Sequence, residues 1–411
     1  GSLGLDPARR QAWRAKAADH GVACHAVVFD TSASECRARN KRRGEPVPSS
    51  VLTTQLRAFE EQRSLLGTEG FAAVHPPGPV RVLGGDIVDA VDAAAQQRDD
   101  PAPLAFGLQI PRFTWAGGPA ELGSRLAIGR AADDAGFESV WVMDHFIQIP
   151  QAGREWEDML DSWTALGFLA AHTHRVRLGT LVTGVTYRNV AHLGKIVATL
   201  DVLSGGRAIC GIGAAWFERE HRAYGWEFPP ARERFALLED ALQLLPLLWG
   251  PGSPPFEGAV IEAAETVCYP RPLQEHVPIL VGGAGEKRTL RLVAQYADAC
   301  NLFGDPATVA RKVAVLRGHC DDLGRDPSEV TVTHLSTALV DLSAVDRLRP
   351  RAMTPEAYAT RVGAGDVEEQ VGRYRILADA GVQTAIVNLP DLDGPQPVER
   401  FAEVIAAFAR S

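Results

Sequence analysis

The stretch "AHLGKIVATLDVLSGGRAICGIGA", residues 191–214, decides the fold. Its first half places apolar residues at helical spacing and stops at two glycines, the residue type that closes helices in the left-handed conformation. Its second half, "RAICGIGA" (207–214), is a short apolar run of the kind a parallel sheet buries on both faces. A helix closed by glycine and followed at once by a buried strand is half of a repeating β/α unit.

The same alternation extends in both directions. Strand candidates precede it at "LAFGLQIP" (104–111), "SVWVMDHF" (139–146) and "VRLGTLVTG" (176–184). Others follow at "PILVGGAG" (278–285), "DACNLFG" (298–304), "VTVTHLSTALV" (330–340) and "QTAIVNLP" (383–390). Amphipathic helices are predicted between and after them, among them "AELGSRLAIGRAADDAG", "SWTALGFLAAHTH", "RERFALLEDALQLLPLLW", "EKRTLRLVAQYA", "PATVARKVAVLRGHCDDLG", "VEEQVGRYRILADAG" and "VERFAEVIAAFAR". Two insertions interrupt the rhythm: a Pro- and Gly-rich segment at 250–276 and an irregular one at 341–365. Eight β/α units over residues 104–411 predict an α/β chain closing as a (β/α)8 TIM barrel, with an open doubly wound sheet as the alternative.

Composition limits the partners. Of 411 residues 46% are hydrophobic and 23% charged, enough for a large core. No apolar run reaches the roughly 18 residues of a membrane span, and no signal-peptide pattern opens the chain, so the expectation is a soluble, cytoplasmic protein. The six cysteines lie far apart, with no C-x-x-C pair and no His spacing that would gather a zinc ion, and no metal is expected. Formal charge is −9, divided as +4 over residues 1–83 and −13 over the remainder. The acidic larger part argues against nucleic acid as its partner. Residues 84–103, Ala-rich and ending in Pro, read as a linker.

In a barrel of this kind the active site lies at the C-terminal ends of the strands. Asp144 and His145 stand at such an end, although a pair like this is as often a structural cap and a half-buried imidazole. Glycine-rich turns end the third, fourth and fifth strand candidates. Gly282, Gly283 and Gly285 lead into a helix beginning near Lys287 and Arg288, where exposed N–H groups and two cations suit an anion.

"MDHF", "LGTLVTG", "LDVLSGGRAICGIGAAWFEREHRAYG" and "VGGAGEKRTLRLVAQYAD", in this order and spacing, resemble the luciferase-like monooxygenase superfamily, in particular its oxidoreductases using the deazaflavin coenzyme F420. The resemblance runs from about residue 104 to the C-terminus. It implies a bacterial-luciferase-like barrel, a homodimer, and a hydride exchanged with a small-molecule substrate. It also implies a non-prolyl cis bond between Leu181 and Val182, with Thr183 and Gly213 beside the ring, and Asp144 and His145 next to it as catalytic pair. Gly282, Gly283, Ala284, Lys287 and Arg288 match the region that receives the ribityl phosphate. Trp216 departs from the sugar-phosphate dehydrogenases of the group, which carry a glutamate there; it suggests an aromatic wall, joined by Trp115, Trp156 and Phe146, or else a rim residue that only packs its loop. An FMN-dependent monooxygenase is the alternative chemistry.

Residues 1–83 read as helix, strand, basic turn, helix and a last strand at "AAVH". They resemble part of a polynucleotide-kinase-like P-loop domain, a small α/β fragment whose lid would carry Arg37, Arg39, Lys41, Arg42 and Arg43. The G-x-x-x-x-G-K-[ST] loop is absent from the sequence, so no kinase activity is expected. The basic cluster is either a solvated helix face or, in a function of another class, a phosphate- or nucleic-acid-binding patch.

Overall fold

Every one of the eight predicted strands forms, because each is a run of apolar and β-branched residues that a parallel sheet can bury on both faces. In the computed structural model they are β1 (Ala105–Ile110), β2 (Ser139–Val142), β3 (Arg177–Thr180), β4 (Ala208–Gly213), β5 (Ile279–Gly282), β6 (Ala299–Leu302), β7 (Thr331–Thr337) and β8 (Thr384–Asn388). Each pairs in parallel with its chain neighbours, β8 returns to β1, and β4 meets β5 through Cys210 opposite Ile279. The sheet is therefore a closed barrel with no free edge. The structure describes residues 104–410 except 116, 122, 124, 125 and 127, together with 7–19, 24–27, 33–41, 47–63, 65–69, 71 and 73–75.

Helices α1 (Ile128–Asp134), α2 (Ser162–His172), α3 (Val190–Ser204), α4 (Glu218–Tyr224), α5 (Ala231–Trp249), α6 (Thr289–Tyr296), α7 (Pro306–Leu323), α8 (Val367–Asp379) and α9 (Gln396–Ala409) surround it. Local signals set their ends. Asn189 caps α3 by accepting from the His192 N–H, and Gly205 closes it at φ 73°. Asp366 and Glu369 form a capping box on α8.

Two apolar layers result. The larger lies between sheet and helices; the smaller fills the barrel with Trp141, Ile209, Leu280 and Ile386. Above that plug glycines let neighbouring strands approach closely. A Cβ on Gly211 would stand 1.8 Å from the Thr180 carbonyl oxygen, and one on Gly282 would stand 2.6 Å from a Val182 methyl. The Leu181–Val182 peptide between β3 and Thr183 is cis, and Val182 rests on these glycines.

The insertions are more ordered than their composition predicts. Residues 250–276 carry a two-stranded hairpin, Phe256–Glu257 with Glu262–Ala263, fastened when Asp240 of α5 accepts from the N–H groups of Ala259, Val260 and Ile261. Residues 341–365, expected to be irregular, form helices Ala344–Leu348 and Pro355–Val362 around Leu339, Tyr358 and Val362. Thr354 caps the second by accepting from the Ala357 N–H, with Pro355 at its first position.

Contacts divide the chain into two units, 1–99 and 100–411. In the first, helices Pro7–Asp19, Ala33–Lys41 and Ser49–Arg63 accompany a parallel pair, His25–Val27 with Ala73–His75. The expected basic turn is helical from Ala33 to Lys41, since Ala, Glu and Arg favour helix and no breaker precedes Gly44. Arg37 and Lys41 are exposed on it; Arg42, Arg43 and the linker 84–103 lie outside the described residues. Among the described residues no helix is long and apolar enough to cross a membrane.

Two substitutions test what holds the barrel. Asp133, buried at the end of α1, accepts from the backbone N–H groups of His174, Arg175 and Val176 at 2.7–2.8 Å. Burial works against its charge, but these three donors hold its carboxyl below the usual range. Asp133→Ala should cost about 2–4 kcal/mol in urea unfolding, with Asp133→Asn intermediate. Because the folded pKa is depressed, the stabilisation should be complete above about pH 4 and fade as pH falls through the folded value. Gly211→Ala should cost about 3 kcal/mol, because a backbone oxygen cannot move aside, and Gly213→Ala, whose nearest contact is a Val182 methyl at 3.0 Å, clearly less.

Candidate active site

Strand alternation sorts the residues at the end of β2. Side chains two apart share a face, so Trp141, Met143 and His145 turn to the lumen while Asp144 turns to the helices. The acid and the imidazole therefore do not act on the same space.

Asp144 is fully buried and completely paired. Arg188 grips both carboxylate oxygens at 2.5 and 3.0 Å, Ser162 at the start of α2 donates at 2.7 Å, and the Thr183 hydroxyl donates as well. Burial opposes the charge on Arg188, yet Asp144 and Asp161 raise its pKa and keep it cationic. This network ties the loop after β3 to β2 and α2. Its position corrects the expectation that Asp144 touches a ring or orients His145: it is a tie behind the wall.

The partner of His145 is Glu220 on α4. Its Oε2 lies 2.9 Å from His145 Nδ1, its Oε1 accepts from the Phe146 N–H, and the Tyr187 hydroxyl donates to Oε2 at 2.9 Å. Glu220 has no exposed surface, and these donors compensate its burial. The pKa of Tyr187 is pushed far up by burial and by Glu220, so Tyr187 stays a donor. With Nδ1 committed to the carboxylate, the other nitrogen, Nε2, is left for the cavity that His145 lines. Glu220 escaped the sequence reading because it sits among four charged or polar neighbours in "EREHR", where a solvated face is the natural expectation. Only the structure shows that Glu220 and His221 are the buried residues of this seven-residue helix.

The cavity above the apolar plug encloses about 540 Å³, a size suited to a flat ring and a small molecule together. One wall is the bulge at Leu181, Val182 and Thr183 with the glycines 213, 282 and 283. Trp216 borders the mouth, half exposed, stacked on Phe217 at 5.0 Å and edge-on to His145 at 5.9 Å. Arg234 reaches the lining too, but its guanidinium is engaged by the carbonyls of Ala214 and Pro229 and by the Phe228 ring at 4.0 Å.

Other expected residues lie elsewhere. Trp115 is core: its ring is buried beside Phe113 and its N–H bonds the Leu392 carbonyl. Phe146 packs behind His145 against Tyr187, Tyr224 and Trp226. Trp156 is 78% exposed, beside Arg154. Ala284 packs on the core, its carbonyl held by Lys312. Lys287 and Arg288 flank a separate groove of about 260 Å³ with Arg232 and Arg291, and helix α6 starts one residue later, at Thr289. Phe235 belongs to both spaces, with the Arg288 guanidinium 5.3 Å from its ring. Among the described residues no three His, Cys, Asp or Glu side chains are grouped to hold a metal ion.

The chain resembles known proteins in sequence and in fold. Over 214 residues the chain is 30% identical to an uncharacterised protein of Mycobacterium tuberculosis, covering 49% of this chain and 74% of that one. F420-dependent glucose-6-phosphate dehydrogenases are 34% identical over 167 residues in Amycolatopsis mediterranei and 40% over 158 in Kineococcus radiotolerans. Those matches cover 40% and 38% of this chain and 47% and 44% of the dehydrogenases, so the chain spans about half their length. In fold it resembles an F420-dependent secondary alcohol dehydrogenase in complex with an F420–acetone adduct (TM-score 0.62, 21% identity, 74% of this chain and 99% of that one). It also resembles EDTA monooxygenase from Chelativorans sp. BNC1 (TM-score 0.64, 14% identity, 75% and 94%), and at such identities the likeness concerns the fold alone. Residues 4–62 match the AAA domain family. Residues 104–386 match the luciferase-like monooxygenase family, and the chain belongs to that family.

Proposed function

We propose that the barrel binds coenzyme F420 and passes a hydride between its deazaflavin ring and a small, uncharged, largely apolar substrate. The observation that carries this reading is the His145–Glu220 pair, a carboxylate-held imidazole at the wall of a cavity otherwise almost free of ionisable groups. The F420-dependent dehydrogenases among the relatives support the choice of carrier.

The residues fit the carrier. Where Gly213 and Gly282 line the cavity, an added Cβ would meet Val182 at 3.0 and 2.6 Å, so this wall is bare backbone on which a flat ring can lie. Leu181, Val182 and Thr183 would border the ring, and the groove of Arg232, Lys287, Arg288 and Arg291 beyond Phe235 would take a phosphate-bearing tail. When bound, the deazaflavin supplies a carbon that gives or accepts a hydride pair. His145 holds or takes the accompanying proton at Nε2. Glu220 fixes the ring plane and tautomer of His145 through Nδ1 and steadies the imidazolium when the proton is held. Phe217, Trp216 and Tyr187 shield the imidazole from water.

Substrate chemistry follows from the charge that is missing. Among the described residues Arg234 is the only Arg or Lys lining the cavity, and its guanidinium is held by the carbonyls of Ala214 and Pro229 through Nε and Nη1. A sugar phosphate would lose its hydration there without a free cation in return. Trp216 offers a flat apolar partner instead.

Fluorescence titration should show F420 binding in the micromolar range or tighter; binding of FMN with none of F420 would replace this reading by flavin chemistry. His145→Ala should lower turnover about 100-fold or more with an F420 dissociation constant changed by less than about threefold. Glu220→Gln should lower kcat about 10- to 100-fold with KM little changed, the signature of a residue acting through His145. Glucose 6-phosphate should give no detectable F420 reduction, and turnover with it would overturn the assignment of an apolar substrate.

A further inference from the structure

The cavity contains two side-chain amides that the protein leaves incomplete. Asn301 points inward from β6 and is 1% exposed. Its Oδ1 lies 2.9 Å from the Thr333 hydroxyl, whose single proton also faces the Cys300 carbonyl at 3.0 Å, and its Nδ2 is buried without a hydrogen-bond partner. Gln109 enters the same cavity from β1, 2% exposed, and makes no hydrogen bond to a described residue. Their surroundings are apolar: Leu181, Phe303 and Leu335 line the space with them.

A buried donor without a partner costs about 1–3 kcal/mol, and a methyl-bearing side chain of equal size would avoid that cost. Asn301 carries that cost at Nδ2, and Gln109 presents an amide without a protein hydrogen bond to the same cavity, so the pair mark groups that a ligand completes. What they offer is specific. Asn301 has only donor hydrogens left, because its oxygen faces Thr333, whereas Gln109 has both a donor and an acceptor. A hydrocarbon satisfies neither residue, and a lone ketone oxygen cannot serve the Gln109 acceptor. An edge in which carbonyl oxygens flank an N–H answers both residues.

We infer that Gln109 and Asn301 recognise the pyrimidinedione edge of a flavin-type ring, a role that rests on the proposal that such a carrier fills the cavity. Asn301 Nδ2 donates to one ring carbonyl; the Gln109 amide accepts from the ring N–H or donates to the second carbonyl. F420 and FMN share this edge, so the assignment holds for either carrier. The two residues set the depth and direction of the ring and leave its proton chemistry to His145.

The test compares wild type with Gln109→Met, Asn301→Leu and the nearly isosteric Asn301→Asp, titrating oxidised F420 and FMN by fluorescence and recording the ligand-free Tm. Each variant should bind the carrier that wild type binds about tenfold more weakly or worse. Asn301→Leu should keep or raise the ligand-free Tm, since it removes an unsatisfied donor. Affinities within about twofold of wild type in all three variants would overturn the inference while leaving the carrier intact. A fall in ligand-free Tm with unchanged affinity would overturn it too, by assigning the amides to the fold. Wild type binding neither F420 nor FMN would remove the carrier itself, and the inference with it.

Discussion

Close approach of backbone to backbone across β3, β4 and β5 is the constraint on which the rest depends. A side chain on Gly211 would run into the Thr180 backbone carbonyl, and one on Gly282 into the Val182 side chain, so neither position accepts one without a shift. That absence seats the bulge at Leu181–Val182 and keeps one side of the barrel mouth flat. Elsewhere around the ring the inward positions are large: Trp141, Ile209, Leu280 and Ile386 fill the lower lumen to ordinary core density. The cavity is thus what remains when a packed barrel has one wall built from backbone.

Buried carboxylates then fix the surrounding parts by a shared device. Asp133, Asp201 and Asp240 each accept several N–H groups from a neighbouring loop, and Asp201 alone gathers Ala208, Leu273 and Gln274. Asp144 and Glu220 use the same chemistry on opposite sides of one strand end. The first is neutralised by a guanidinium and two hydroxyls and joins elements; the second is satisfied by a backbone amide, a phenol and an imidazole, and so transmits its charge to the cavity. Paired or donor-satisfied acids of this sort cost much to break and little to keep.

Much of the fold was legible because strands buried on both faces leave long apolar runs, and helices closed by glycine leave a punctuation mark. Both are local properties. The site was only partly legible because it is assembled from residues distant in the chain. His145 could be found at a strand end, but its partner is 75 residues away, and a charged heptapeptide gives no hint of zero exposure. Alternation alone, applied one residue further, would have separated Asp144 from His145. Lys287 and Arg288 were legible as a pair of cations beside a glycine-rich turn, but that Arg232 and Arg291 join them in one groove was not, because Arg232 lies more than fifty residues away in the chain.

Phe235 stands between two electrical environments. On one side the space is enclosed and poor in charge; on the other, four cations face open water. A ligand lying across that partition would have its two ends governed by different physics. Dissolved ions would weaken the grip on the outer end, where charges are screened over about 8–10 Å, and would leave the inner end unaffected. Retention of such a ligand and the speed of what happens to it could then vary independently, each under selection of its own.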